Sequence, residues 1–417
     1  MSNPNSELTA AQGPLAGLRV IDWTHVLAGP FTGYQLALLG AEVIRIERAD
    51  GDDMIRTKSL DPHLAAQGLG DTFVAQGGGK QSLAIDARDP RSQQALHALI
   101  ASADVLVENF RPGKLASLGF DPAALIRRHP RLTVCSITGF GPGSDQRAYD
   151  HVIQAASGLM QANASADGTP QRIGFPLVDY AVGQQAALAI MTALLRRERT
   201  DPARRTQGEW LQVSMLNAAL TLMAPVYANE LVSGHKVPRS RSTAFSGSPL
   251  SGTFAVRDGH LAIVCNAREQ TLGLLAALRD AGVTETDAQG LARVAGQGLV
   301  DEAQQLLGSW LARDNGASWL DRLSRHGVPA AMAIDAIQAV RAVCHDWPEI
   351  ELPTAEGGTR RVRVPGIGFA STEPVTTGLR PPPRRGEHSR QWLESAGLQK
   401  DDIDRLFQEG KVHGSNA

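Results

Sequence analysis

LRVIDWTHVLAGPFTGYQLALLGAEVIRIE (residues 18–47) decides the fold. LRVIDW (18–23) is a short apolar run of strand character. PFTGYQLALLG (30–40) then takes helical spacing, with Pro30 near its start and Gly40 at its end. AEVIRIE (41–47) is a second strand. Strand, helix and strand within about thirty residues make a βαβ unit. The alternation continues outward. QSLAID (81–86), DVLVENF (104–110) and LTVCSITGF (132–140) read as strands. RSQQALHALIASA (91–103) and DPAALIRRH (121–129) read as the helices between them. The expected class is α/β, with a parallel, doubly wound sheet.

Further along, a helix starts near Asp179 and runs to Leu195; it is apolar on most sides and so expected to be buried. RRERTDPARRTQGE (196–209) is charged and linker-like, and 211–231 starts extended and turns helical. SGHKVPRSRSTAFSGSPLSG (233–252) reads as a loop, and TFAVRDGHLAIVC (253–265) as a hairpin on an Asp-Gly turn. Helices follow to about Arg325, and GVPAAMAI (327–334) restarts strand signal. The expected layout has a mobile tail over 1–15 and the first part of a large domain over 16–200. A linker over 201–226 and a small α+β domain over 227–330 come next. Residues 331–417 return to complete the large domain, with a late helix at SRQWLESAG (389–397).

The 417 residues are 42% hydrophobic and 20% charged, as in ordinary globular chains. A net charge of −2 offers no excess to recruit nucleic acid or an anionic membrane. Any anionic ligand must be met by local basic groups. Cys135, Cys265 and Cys344 are far apart and lack metal spacing, so a reducing cytoplasm is expected rather than a disulfide framework. The start, MSNPNSELTAAQGP, has no apolar core and is not a signal peptide. No apolar run reaches the roughly 18 residues of a membrane span.

Cofactor motifs are missing. Trp23-Thr24-His25-Val26-Leu27-Ala28-Gly29-Pro30 stands where a dinucleotide fold carries G-x-G-x-x-G. GGGK (77–80) is followed by Gln81, not Ser or Thr, and reads as a turn before a strand rather than a phosphate loop. There is no H-E-x-x-H and no G-x-S-x-G, so no metal and no permanently bound cofactor are expected.

Three places carry chemistry-bearing residues. His25 follows the first strand, at the edge where doubly wound sheets bind ligands; a hydrogen-bonded loop histidine fits the same pattern. ENFRPG (108–113) sits on that edge too, and Asn109 and Arg111 suit a phosphate or amide as well as a turn. Asp179 lies within RIGFPLVDYAVGQQAA (172–187), where a carboxylate costs free energy unless something answers it. It reads as a helix cap, a buried ion-pair partner or the reacting group. Val182 stands where a capping box needs Glu or Gln.

IDWTHVLAGPFTGYQLALLGAEVIRIERADGDD (21–53) resembles the amino-terminal signature of class III (CaiB/BaiF) CoA-transferases. KQSLAID, ADVLVENFRPGKLASLGF, ITGFGPG, YDHVIQAASGLM and GFPLVDYAVG follow in family order. So do DGHLAIVCNAREQ, GVPAAMAI, VPGIGF and GEHSRQWLESAG, nearly to the end of the chain. The resemblance implies a Rossmann-like large domain with a smaller α+β domain, and two ring-shaped chains interlocked as a homodimer. It implies acyl-CoA and carboxylic acid substrates, with Asp179 as the catalytic aspartate. CoA contacts fall on His25, Val26, Ala28, Arg48 and Ile85, and on Arg88, Asn109, Phe110 and Leu118. Gly139 and Phe140 fall in the same site, and backbone around Gly139 and Gly141 is placed to stabilise oxyanions.

Three departures tell against oxalate as substrate. Leu27 replaces a glutamine and Ser117 an arginine of the formyl/oxalate enzymes, and FSGSPLSG (245–252) replaces their glycine-rich loop. Succinyl-CoA and a dicarboxylic acid are expected instead. Arg56, Arg147, Arg172, Arg239 and Arg241 are candidates to hold a distal carboxylate. Racemases of 2-methylacyl-CoA share the fold but pair their aspartate with a histidine of a GHD-type motif. That motif reads Ala148-Tyr149-Asp150 here, which favours the transferase. A non-catalytic CoA-binding protein is the third reading, and an intact Asp179 argues against it.

Overall fold

A computed structural model describes residues 13–165, 167–204, 206–235, 246–373, 375 and 378–414. Most of the expected tail, 1–12, lies outside the described residues. Its last part is packed: Leu15 is buried and donates its N–H to the Leu39 carbonyl at 2.9 Å.

The strands, in chain order, are β1 (Arg19–Trp23), β2 (Glu42–Glu47), β3 (Lys80–Ile85), β4 (Val105–Glu108), β5 (Thr133–Thr138) and β6 (Glu209–Ser214). Then come β7 (Gly252–Val256), β8 (Gly259–Ile263), β9 (Ala330–Met332), β10 (Glu349–Pro353), β11 (Thr359–Arg363) and β12 (Val412–His413). A seven-stranded sheet runs β12-β3-β2-β1-β4-β5-β6. All its pairs are parallel except β12 on β3. The inner strands are buried on both faces, which is why they read as continuous apolar runs. Three crossover helices begin on Asp-Pro. Asp61, Asp89 and Asp121 accept first-turn N–H groups, while Pro62, Pro90 and Pro122 supply a first residue that needs no donor.

One compact unit comprises residues 1–164, 168–228 and 346–417, and the other 229–345 with 165–167. In the second, β7, β8 and β9 form an antiparallel sheet, and Leu261, Leu274, Leu307, Trp319 and Leu323 fill its core. The strand signal near 330 therefore closes the small sheet. The sequence had ended the small domain there, but the unit runs on to His345. The expected linker over 201–226 is also corrected: β6 pairs with β5, and Met215–Leu222 is helical.

The helix bearing Asp179 spans Leu177–Arg199, four residues beyond the expected end. Val178, Val182, Ala186, Ile190 and Leu194 pack against Val20, Val105, Val107 and Ile137 of the sheet. It is buried on one side only; Leu188 and Leu195 remain 60% and 53% exposed. By length and composition it is apolar enough to cross a membrane, but its inward stripe is part of the large unit's core.

Gly183 lets this helix approach the Ala28–Leu38 helix. A Cβ there would lie 2.8 Å from the Ala28 carbonyl oxygen and 2.9 Å from a Phe31 ring carbon. Gly→Ala within a helix ordinarily gains up to about 1 kcal/mol. Here overpacking reverses the sign, and Gly183→Ala should lose about 1–3 kcal/mol in chemical denaturation. A stabilised variant would contradict the close approach.

Candidate active site

The carboxyl ends of β1 to β4 open into a cavity of about 370 Å³, where doubly wound sheets hold ligands. Trp23 and His25 enter from β1, Arg45 to Asp53 from β2 and its loop, and Ile85 to Arg88 from β3. Phe110, Lys114 and Leu118 enter from the segment after β4. One wall is aromatic: the Phe110 ring meets His25 edge-on at 5.0 Å and Trp23 at 5.9 Å. The rim is mixed in charge: Arg48, Arg88 and Lys114 are exposed beside Asp50 and Asp52, and Arg48 donates to both Asp50 oxygens at 2.9 and 3.0 Å.

Beneath the cavity the strands carry a buried charge network. Arg56 places two guanidinium nitrogens on Glu47, both at 2.6 Å, and stacks on Phe73 at 3.8 Å. Ser82 donates to Glu47 at 2.6 Å, and Arg45 lies 3.4 Å from it. Lys80 pairs with Asp22 at 2.8 Å. Burial alone would raise the Glu47 carboxyl, but Arg56 and Arg45 outweigh it and hold the group at about 2.

The network reaches the His25 loop through Asp53. Its Oδ2 accepts from Arg45 at 2.8 Å and from the Val26 N–H at 2.9 Å, and Gln76 donates to the Val26 carbonyl at 3.1 Å. Val26 has φ of 65°, alone among described non-glycine residues in the left-handed region. That conformation costs a valine about 1–2 kcal/mol, and these bonds hold it. Asn109 clamps the neighbouring peptide groups, accepting from the His25 N–H at 2.8 Å and donating to the His25 carbonyl at 2.9 Å. Burial and then Arg45 lower the His25 pKa, so the ring is neutral at pH 7.

Of the expected CoA contacts, His25, Arg48, Ile85, Arg88, Phe110 and Leu118 come together around this cavity. Val26, Ala28 and Asn109 do not line it; Ala28 is buried in the first turn of its helix. Gly139 and Phe140 do not line it either. The Gly139 carbonyl accepts from Ser214 and Leu216, and Phe140 packs on the core. Arg111 is exposed outside it. Sequence reasoning passed over Lys114. It lies three residues before Ser117, and helical spacing puts those positions on one face, a signal that was there to read.

Asp179 sits in the first turn of its helix, but the cap residue is Pro176 and the Asp179 side chain makes no cap bond. The Val178 N–H is instead taken by Asp150 Oδ1 at 2.8 Å. Asp179 has no hydrogen bond or ion pair among the described residues, so it fills neither structural role the sequence left open. Burial, and then the Asp150 carboxylate, push its pKa up to about 7. Burial and a like charge thus outweigh the helix-end amides, which favour the anion.

Arg56 is fully engaged with Glu47 and the carbonyls of Gly68 and Pro383, so it cannot hold a substrate carboxylate. Arg147 and Arg172 are exposed, and Arg239 and Arg241 lie outside the described residues. In FSGSPLSG, Ser246 and Ser248 tie down to Asn266 and to the Cys265 carbonyl at 2.6 Å each; Phe245 lies outside the described residues. Leu27 precedes the Ala28–Leu38 helix as its cap residue, and Ser117 is exposed.

The family description "CoA-transferase family III" matches residues 15–389. The chain is 31% identical over 408 residues to the succinyl-CoA:glutarate CoA-transferase of Mus musculus, covering 96% of this chain and 90% of that one. It is 31% identical over 402 residues to the succinate–glutarate CoA-transferase of Agrobacterium fabrum, covering 91% and 95%. Among solved structures, a CAIB/BAIF family protein from Brucella suis matches with a TM-score of 0.74 and 27% identity, covering 92% of this chain and all of that one.

Proposed function

The chain belongs to CoA-transferase family III, and from that premise we propose that Asp179 carries CoA from succinyl-CoA to a second dicarboxylic acid. The observation that supports this most directly is the state of Asp179: half-buried, without a partner, and poised near neutrality at the start of a helix. Two relatives named for succinyl-CoA or succinate together with glutarate support a four- or five-carbon diacid pair.

The steps balance as an exchange. An Asp179 oxygen attacks the acyl carbon of succinyl-CoA, the C–S bond breaks, and a mixed anhydride and CoA thiolate result. The thiolate attacks the aspartyl carbonyl, releasing succinate and leaving an aspartyl-CoA thioester. The acceptor carboxylate attacks that thioester, and the released thiolate takes the acceptor's acyl group from the new anhydride. One thioester is broken and one is made. The nucleotide end of CoA occupies the β1–β4 cavity, with Arg88 and Lys114 toward phosphate and the aromatic wall toward adenine. The working unit is an interlocked homodimer; exposed Leu188, Leu195, Leu222 and Val226 supply apolar surface for a second copy.

Only ionised Asp179 attacks. Its pKa is raised, so the neutral form dominates below about 7 and the anion above it. Transfer should therefore climb with pH through a limb near 7 and then level off. A rate independent of pH from about 5 to about 8 would contradict this assignment. The racemase alternative finds no support here, since Tyr149 replaces the required histidine and is 66% exposed. The decisive test incubates the protein with succinyl-CoA and a panel of mono- and dicarboxylates, following new acyl-CoA by mass. Diacids should accept CoA. Deuterium uptake by a 2-methylacyl-CoA without acyl exchange would replace this reading.

A further inference from the structure

Asp150 and Gln154 lie one helical turn apart in the Asp150–Ala156 helix, and the core encloses both, at 8% and 0% exposure. Buried polar side chains are retained where their bonds are satisfied, and these are. Gln154 Oε1 accepts the Ile173 N–H at 2.9 Å, and Nε2 donates to Asp150 Oδ2 at 2.7 Å and toward the Phe175 carbonyl at 3.4 Å. Asp150 Oδ1 accepts the Val178 N–H at 2.8 Å. Every one of these bonds ends on 173–178 or links the two side chains that hold it. That stretch delivers Asp179 to its helix.

We propose that Asp150 and Gln154 are positioning residues: a two-part brace that fixes the entry of the Asp179 helix and places a second carboxylate beside the nucleophile. The proposal rests on the reading of Asp179 as nucleophile. An asparagine at 150 would satisfy the Val178 N–H equally well, so the negative charge is not needed for the bond. Its effect is electrostatic. A like charge disfavours the Asp179 anion and makes that carboxylate more basic, and basicity feeds nucleophilic strength. No opposing charge offsets it from the packed elements. The Ala28–Leu38 and Met215–Leu222 helices and β5 carry no charged residue. Glu209 of β6 is engaged by Arg196. Within its own turn, the nearest titratable neighbour of Asp179 is Tyr180, itself raised by burial and by Asp179. His151, on the brace helix, is exposed.

The test separates bond from charge. Asp150→Asn keeps the acceptor for the Val178 N–H and removes the charge, at the cost of the Gln154 bond, which Gln154→Ala removes without touching the charge. Asp150→Ala removes both, and Gln154→Ala removes the bonds to Ile173, Phe175 and Asp150 while keeping the Asp150 charge. The Asp179 carboxyl is titrated by carbon-13 NMR in aspartate-labelled protein, its signal assigned with Asp179→Asn. The midpoint should fall in Asp150→Asn, and the pH limb of transfer should move toward acid with it, while KM for acyl-CoA stays unchanged. Gln154→Ala should lose about tenfold in kcat with the limb in place. Asp150→Ala should show both effects. An Asp179 midpoint identical in wild type and Asp150→Asn overturns the electrostatic half. Full kcat in Gln154→Ala and Asp150→Ala overturns the positioning half. The titration needs no turnover. If Asp179→Ala still transfers CoA while the midpoint shift is seen, the nucleophile assignment has failed and the brace has not.

Discussion

Asp179→Ala should lose CoA transfer by at least about a thousandfold, the scale expected when a covalent nucleophile is deleted. No other carboxylate is offered as a substitute: Asp150 is held by Val178 and Gln154. The loss is chemical, and a stability measurement shows it. The folded pKa of about 7 lies above the ordinary 3.8, so between those values the native state binds a proton that the unfolded chain has lost. Stability from this group is therefore present at acid pH and lost as pH rises through about 7. At pH 8 the wild type carries a desolvated anion and the alanine variant does not. The variant should melt no lower than wild type at that pH while failing to make new acyl-CoA. Transfer within tenfold of wild type would remove Asp179 from the reaction.

Glu47→Ala should destabilise the fold by about 3–5 kcal/mol, the cost of stranding a buried charge. Arg56 is buried with Glu47 as its carboxylate partner, and buried Arg45 would lose one of its carboxylates while keeping Asp53. Against a typical total of about 5–15 kcal/mol, few substitutions outside the core would cost more. The pH dependence follows from the depressed pKa. Stability from Glu47 is fully present above 4.5 and is lost as pH falls toward about 2. Urea denaturation at neutral pH measures the first effect, and a loss below about 1 kcal/mol would show the pair to be dispensable. Glu47→Gln should flatten the acid limb of stability between those two pH values.

The βαβ alternation was legible because inner parallel strands are buried on both faces, so LRVIDW and AEVIRIE stand out as apolar runs. β6 was legible only from Leu211 on, where the chain was expected to start extended, because it is an edge strand. Glu209 and Leu211 are half-exposed and Trp210 and Gln212 exposed, and beside a charged stretch that mixture looks like a linker. Arg196 to Arg199 were read the same way, yet cations suit a helix's last turn. The residues around the cavity could be placed by resemblance, and six of them do meet. What sequence could not show is which polar groups are already taken. Arg56 looked available because its fork on Glu47 exists only once β2 and the following segment are packed. Asp179 looked like a cap because the true cap comes from Asp150, a bond spanning 28 positions.

The large unit is discontinuous, and its closing bonds are very long in sequence. Tyr34 donates to the Pro365 carbonyl across 331 positions, Arg56 to the Pro383 carbonyl across 327, and β12 covers the β3 edge. During synthesis, β1 to β6 leave the ribosome well before those partners exist. Until they do, the β3 edge is unpaired and the shell around Arg56 is incomplete. The final strand is thus an edge guard, and a chain cut before it would present β3 as an open template for pairing with another chain.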